Sequence, residues 1–295
     1  MTNREIGFLL LTCRLGDPDR KVLSPAQLRT LTQRALTMEQ PPQDRELTKE
    51  DLVSIGCNRL LTERVMHLLA QEDILSLYLQ DGKLCGCNPV TRISRDYPMQ
   101  LREVLGDEAP GSLWYKGDLS LLQTPMISLV GSRELRAENL RFAQEAGKQA
   151  ALQGYTLVSG NAQGADREAQ DACLAAGGSV VSIVADSLQQ HSAQERVLYI
   201  SEDGFNLPFT AQRALLRNRL IHSMGQIVLV AQCRLDKGGT WNGTVENLRK
   251  NRRAVFCFND GTAAMKELEQ RGASLITLQD LNDLAALKDR YRSFL

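Results

Sequence analysis

The chain has no surplus of charge: 35 basic side chains balance 35 acidic ones over 295 residues. Whole-molecule electrostatics therefore do not attract a polyanion, and any nucleic-acid contact must come from a local basic patch. Aromatics make up only 5%, so surfaces for base stacking are few. Histidine is scarcer still: His67, His191 and His222 stand far apart, and none sits beside a Cys or Glu. Seven cysteines are scattered, and the closest pair, Cys85-Gly-Cys87, has no second pair at metal-ligand spacing. No metal site is expected, only free thiols in a reducing compartment. No apolar run is long enough to span a bilayer and no signal peptide opens the sequence, so a cytoplasmic protein without membrane contact is expected. Two nucleotide signatures are missing as well. No Gly-x-Gly-x-x-Gly follows the first α/β strand, and no Gly-Lys-Ser/Thr occurs anywhere. These absences exclude ordinary dinucleotide binding and a Walker-type phosphate loop.

What is present is a series of apolar strands running into small-residue turns. Met126–Val130 leads into Gly131-Ser132-Arg133. Thr156–Val158 leads into Ser159-Gly160-Asn161-Ala162-Gln163-Gly164-Ala165-Asp166. Gln226–Val230 leads, a few residues on, to Gly238-Gly239-Thr240-Trp241-Asn242-Gly243-Thr244. Strand, glycine turn and helix form the unit of a doubly wound sheet, whose ligand crevice lies at the strand carboxyl ends. Glycine lets the backbone approach an anion, and a helix N-terminus supplies free N–H groups and a positive dipole end. Three such loops predict a phosphate-bearing ligand and no bound cofactor. Asp166 reads as the cap of the helix it begins, or as a contact to a ligand hydroxyl.

The first part of the chain reads as helical. Phe8–Cys13 fits a buried helix segment, and Gln40–Asp44 a polar loop. Thr48 and Asp51 stand at the positions of a capping box. Ile55-Gly56-Cys57 breaks the pattern before apolar residues at helical spacing from Leu61 to Leu79. This helix, Ile-Gly turn and helix fit a plain packing module or a helix-hairpin-helix or SAM-like unit. Asp81-Gly82-Lys83 reads as a turn and Asn88-Pro89 as a boundary. The expected division is a helical domain over 1–88 and an α/β domain over 89–295. In the second, helices are expected near 134–153, 166–176, 211–223, 244–251, 262–271 and 280–294. Strands are expected near 155–158, 179–184, 226–230, 254–258 and 274–276, with 186–210 irregular. The nearly continuous apolar strands suit a parallel sheet covered on both faces.

An ordered set of motifs then resembles one family. Tyr97-Pro98, Leu113…Gly117 and Ile127–Arg133 come first. Val158-Ser159-Gly160-x-Ala162-x-Gly164-x-Asp166-x-x-Ala169 follows, then Ser201-Glu202 and Arg217-Asn218-Arg219-Leu220-Ile221, and finally Gly272-Ala273. Together they are similar to the DNA-processing protein A (DprA/Smf) family over about 95–280. The resemblance implies an extended Rossmann-like domain after a small helical domain. It implies binding of single-stranded DNA, homodimerisation and delivery of DNA to a RecA-type recombinase during DNA uptake and recombination, without catalysis. Gly131, Ser132 and Arg133 would hold a DNA phosphate; Ser159, Gly160, Gly164 and Asp166 would build the neighbouring loop; Arg217, Asn218 and Arg219 would lie near the same crevice. Departures are specific. The signature's final His is Gln170, its basic position is Gln163, and Ala185–His191 replaces a Tyr-Pro-x-x-Asn segment. With the chain stopping at Leu295, the family's C-terminal winged helix is not expected.

Three further readings bear on individual residues. Phe205, Phe209 and Trp241 are the candidate stacking rings, with core packing as the alternative for each. Arg217 and Arg219, two apart on a helix, do not share one stripe, so one is expected to pair structurally, with Glu202 as the candidate partner. The run from Gly238 to Glu246 is also similar to the Pro-Gly-Gly-x-Gly-Thr-x-x-Glu loop of nucleoside-monophosphate phosphoribohydrolases. There Glu246 would stabilise an oxocarbenium-like charge while Gly238, Gly239, Thr240, Gly243 and Thr244 held the 5′-phosphate. Without that chemistry, the same loop would serve a nucleotide-derivative sensor.

Overall fold

The computed structural model describes residues 1–38, 46–202 and 204–292; the expected loop at Gln40–Asp44 lies outside them. Five helices come first: α1 (Asn3–Thr12), α2 (Pro25–Ala35), α3 (Lys49–Ser54), α4 (Arg59–Leu69) and α5 (Glu72–Leu84). Capping boxes start three of them, at Thr2/Glu5, Ser24/Gln27 and the predicted Thr48/Asp51. Each reciprocal pair satisfies two N–H groups that the helix leaves free. Gly56, at φ +78°, makes the turn between α3 and α4. The single apolar stretch expected from Leu61 to Leu79 is two helices, α4 and α5.

Asp81-Gly82-Lys83 is not a turn. It lies within α5, where a Cβ on Gly82 would stand 2.7 Å from the Trp114 ring. Glycine inside a helix costs about 0.5–1 kcal/mol against alanine. Here it lets α5 lie directly on the indole.

The remaining chain alternates. It runs β1 (Asn88–Thr91), α6 (Met99–Leu105), β2 (Ser112–Lys116), β3 (Met126–Val130), α7 (Ala137–Leu152), β4 (Thr156–Ser159), α8 (Ala165–Ala175), β5 (Val180–Ile183) and β6 (Val197–Glu202). Then follow α9 (Ala211–Met224), β7 (Ile227–Val230), α10 (Gly238–Arg249), β8 (Ala254–Phe258), α11 (Ala263–Gln270), β9 (Ser274–Ile276) and α12 (Leu284–Arg292). The strands form one sheet in the order β1-β2-β6-β5-β4-β3-β7-β8-β9. From β6 to β9 all neighbours are parallel, while β2 joins β6, and β1 joins β2, antiparallel. The α/β, mostly parallel architecture agrees with the sequence reading, with two corrections. Residues 186–210 are not wholly irregular, because Val197–Glu202 is the strand β6. A short apolar run carries no periodicity of its own, and only its neighbours β5 and β2 decide that it is a strand. Asn88-Pro89 opens β1, an edge strand, which is where proline's missing N–H is tolerated.

Helices cover both faces. Ile127, Leu129, Leu157 and Leu229 point into a core with Phe142, Ala146, Ala169 and Leu284, while Val130, Val158, Val181 and Val228 point into the other with Leu101, Leu220, Trp241 and Met265. Alternate strand residues thus serve opposite layers. A third core, with Leu28, Leu52, Val65 and Leu68, lies among the N-terminal helices.

Candidate functional site

Strand order reverses between β3 and β7, which are neighbours although β4, β5 and β6 intervene in the chain. A doubly wound sheet opens its ligand crevice at such a point. A cleft of about 470 Å³ lies there, lined by Gly131–Glu134, by Ala162 and Asp166, by Phe209, Leu215, Arg217 and Asn218, and by Arg234 and Lys237–Thr240.

The loop after β3 is strapped to the loop after β7. Ser132 donates its N–H (2.9 Å) and its hydroxyl (3.2 Å) to the Gln232 carbonyl. Arg136 N–H donates to Gln232 Oε1, and Gln232 Nε2 donates to the Glu134 carbonyl. Gly131 is required by space: a Cβ there would stand 2.3 Å from that of Ala165. Gly164 is required by space and conformation, at φ +89° with a Cβ 2.3 Å from the Arg133 carbonyl. These two glycines let α8 begin against the end of β3. Arg133, exposed, carries no ion pair among the described residues.

Helices α8 and α10 both start at the cleft without a side-chain cap. Asp166 is therefore not the cap expected from its position. Gly164 is the N-cap, and Asp166 turns back to accept from the N–H groups of Gly160 (3.1 Å) and Ala162 (3.3 Å). Burial pushes the Asp166 carboxyl up to about 6, against the opposing pull of Arg217 and these two N–H groups. Burial likewise lowers the Arg217 guanidinium, against Asp166 and Asp186. The Nη1 of Arg217 donates to the carbonyls of Gly160 and Ile183. It therefore locks the loops after β4 and β5 while its edge lines the cleft.

Of the remaining predicted residues, Asn218 lines the cleft and donates to the Gly239 carbonyl at 3.0 Å. Ser159 is fully buried, and its hydroxyl accepts from Gln170 Nε2 at 2.6 Å. Gln170 reaches Ser182 too, so the residue that replaces the signature's His ties β4 to β5. Arg219 points away from the cleft and pairs with Glu202, the partner anticipated from sequence. Gly238–Thr244 is not a free loop but the first turns of α10. Gly238, Gly239 and Thr240 reach the cleft, and Thr240 donates to the Gly131 carbonyl at 2.9 Å. Gly243 and Thr244 lie further along: Gly243 faces His222, and Thr244 is buried. Glu246 is held by Lys250 and Arg252 and does not line this cleft. The phosphoribohydrolase arrangement, with that carboxylate at the phosphate loop, is not formed here.

Phe205 is no stacking platform, being packed 4.5 Å from the Tyr78 ring centre and 5.0 Å from that of Trp114. Trp241 is buried beneath Arg271. Only Phe209 stands out, 53% exposed at the cleft. Sequence reasoning missed Arg234 and Lys237. They flank a tight turn in which Asp236 adopts φ +54° and Lys237 N–H donates to the Arg234 carbonyl. Their position between the β7 end and the first glycines of α10 was the available signal. Arg234 pairs with Glu134 at 2.5 Å across the mouth.

Residues 88–286 match the family described as DNA recombination-mediator protein A. The chain is 30% identical over 207 residues to the DNA processing protein DprA of Streptococcus pneumoniae, covering 61% of this chain and 68% of that one. It is 28% identical over 200 residues to protein Smf of Escherichia coli, covering 62% and 52%. The crystal structure of the S. pneumoniae protein aligns with a TM-score of 0.73 at 25% identity, over 97% of this chain and 98% of the other. The DNA processing protein A of Helicobacter pylori shares the fold with a TM-score of 0.57 at 21% identity, over 69% and 96%.

Proposed function

As a member of the DNA recombination-mediator protein A family, the chain is a DNA-processing protein, and we propose that it holds single-stranded DNA by its phosphates in the cleft between β3 and β7. The observation that carries this reading is the pair of helix N-termini without a side-chain cap, α8 and α10, opening into one cleft beside Arg133, Arg234 and Lys237. The N–H groups of Ala165 and Arg167 in α8 already bond the Ser132 and Ala162 carbonyls, so α8 contributes chiefly its dipole; with the glycine N–H groups that open α10 and flexible cations, this is what a phosphate asks for. In this reading Gly131, Ser132, Gly238 and Gly239 let the strand approach backbone N–H groups. Arg133, Lys237 and Arg234 neutralise phosphates, Arg234 by exchanging Glu134 for the ligand. Gly160, Gly164, Asp166, Arg217 and Asn218 hold the loops in place. Phe209 and the half-exposed Leu215 offer the apolar surface on which an unpaired base rests.

Residues 1–88 serve in this reading as the helical domain, and 89–295 as the DNA-binding domain. The protein works in the cytoplasm as a homodimer and passes its strand to a RecA-type recombinase, in DNA uptake or in another recombination process. The relatives' printed names support DNA processing, and the H. pylori protein is described as binding single-stranded DNA. The test is fluorescence anisotropy of labelled oligo-dT titrated across salt, with duplex as competitor. Salt-sensitive binding that duplex does not displace is expected. Absence of binding at low salt overturns the reading.

A further inference from the structure

A carboxylate stands in the wall of the cleft between β3 and β7, and it is only half satisfied. Asp166 Oδ2 accepts the two N–H groups that hold the loop after β4, from Gly160 and Ala162. Asp166 Oδ1 accepts from no donor among the described residues. It is not sealed away. The residue keeps 6% of its surface, it lines the cleft, and Oδ1 is not one of the enclosed atoms that lack a partner. A nearly buried acceptor without a donor is costly to keep. Arg217 does not relieve it, because Nη1 of that guanidinium goes to the carbonyls of Gly160 and Ile183.

An ionised carboxylate only accepts, so the complement of Oδ1 is an N–H or O–H group of the ligand, and a phosphate oxygen is repelled. An internal DNA nucleotide has no hydroxyl, and its donors are all on the base. Thymine and guanine each carry a ring N–H on the edge that pairs with the opposite strand. A duplex spends that group on its partner base and shows it in neither groove. An unpaired base presents it, and such a base is read by its pairing edge. The layout of the cleft agrees. Helix α8 begins after β4 and α10 after β7, with β3 between them, so the two starts lie about 10 Å apart, two strand spacings. A nucleotide bridges that span with its phosphate on Lys237, Gly238 and Gly239 and its base toward Asp166. Phe209 and Leu215 border the same space.

We propose that Asp166 Oδ1 accepts the ring N–H of an unpaired thymine or guanine whose phosphate lies at the start of α10. Asp166 is then the residue that selects a single strand and, within it, these two bases. The proposal rests on the reading of this cleft as the DNA site and adds a base preference, which phosphate contacts alone do not give.

Anisotropy of labelled oligo-dT and oligo-dC on the full chain, parent and Asp166→Asn, tests it. The parent is expected to bind oligo-dT at least about tenfold more tightly, the effect of one hydrogen bond to a charged acceptor. In Asp166→Asn the amide oxygen still serves Gly160 and Ala162, so the NH2 group turns to the cleft and a donor replaces the acceptor. The ring nitrogen of cytosine accepts from it, and the preference should vanish or reverse. A residue that only braced the loop would weaken both strands alike and leave their ratio unchanged, and that result overturns the proposal. So does a parent that binds oligo-dC as tightly as oligo-dT, an outcome that leaves the phosphate reading standing. Binding of neither strand at low salt overturns both. If far-UV circular dichroism shows that Asp166→Asn does not fold, the pH profile of the parent decides. Burial pushes the Asp166 carboxyl up to about 6; Arg217 of α9 and Arg133 of the loop after β3 face it, and Asp186, paired with His191, lies beyond Arg217. A proton on Asp166 removes the acceptor. The preference for oligo-dT should therefore fall between about pH 7 and about pH 5. A preference that holds or grows over that interval overturns the proposal.

Discussion

Arg133 and Arg217 stand at the same cleft with opposite duties, and the difference is legible in what each already touches. Arg217 is buried, gives its Nη1 to two carbonyls and faces the buried Asp166. Arg133 is exposed and held by no ion pair among the described residues. Arg133→Ala is therefore expected to leave the unfolding midpoint unchanged. It should weaken oligo-dT binding about tenfold and reduce the salt slope by about 0.7, one single-strand phosphate contact. Arg217→Ala should instead cost about 3–5 kcal/mol of stability, since it strands Asp166 without its counter-charge. Urea unfolding and anisotropy on both variants separate the two. Equal effects on stability would remove the distinction. His222 gives a pH-dependent test. Burial, with Arg252 adding to it, depresses its imidazole to about 3, and neither ring nitrogen has a partner among the described residues. A His with a depressed folded pKa takes up its proton only on unfolding. It therefore costs stability as pH falls below the ordinary value near 6.5. His222→Gln removes that term, so its stability relative to the parent should rise by about 1.4 kcal/mol per pH unit between pH 6 and 4. A difference that stays constant with pH would show that His222 does not stay neutral in the fold.

At the scale of elements, legibility followed the range of the interaction that makes each one. The Thr48/Asp51 box spans three residues, and it formed as read. The apolar strands from β3 to β5, and β7 and β8, are continuous runs, and each is buried at every position. Gly82 looks like a turn residue, and only Trp114, distant in sequence, makes it a helix residue. The glycines of 238–243 look like a loop, because what holds them helical is α9, through Asn218 and His222. The same dependence on a distant surface fixes the seam between α7 and α8. A Cβ on Gly147 would stand 2.0 Å from the Ala169 carbonyl, which is backbone and cannot turn aside. Gly147→Val should thus destabilise by at least about 1–3 kcal/mol through overpacking, despite valine's better fit to a buried site. Because α8 begins at the cleft, oligo-dT affinity should fall with it in urea-free buffer. A variant as stable as the parent would mean that the two helices can part without cost.

For the whole molecule, the question is whether the helical region and the sheet are independent. Three observations argue that they are not. Leu9, Leu10 and Cys13 of the first helix and its exit belong to the same buried cluster as Ile127, Leu157 and Phe142. Trp114 Nε1 donates to Cys13 Sγ at 3.3 Å. Tyr78 of α5 packs on Trp114 and Phe205, accepts from the Phe205 N–H at 3.1 Å and donates to Asn206 at 2.8 Å. The helices from α2 to α4 have a core of their own, which Phe8 and Leu11 of α1 join, but Leu9 and Leu10 of α1 and Leu75 and Tyr78 of α5 are buried in the core of the sheet. Removing residues 1–88 would uncover Trp114 and Phe205 to water, so a chain cut there should not retain the stability of its half. In the intact protein, tryptophan fluorescence and far-UV circular dichroism should lose their native signals at the same urea concentration, as one cooperative transition. Trp114 reports the junction and Trp241 the far face of the sheet, and both are buried. Gly82→Val, which drives a side chain into the Trp114 ring, should shift that single midpoint downward without splitting it. If the fluorescence transition instead came first and left helical signal behind, the junction would be a contact between separable units.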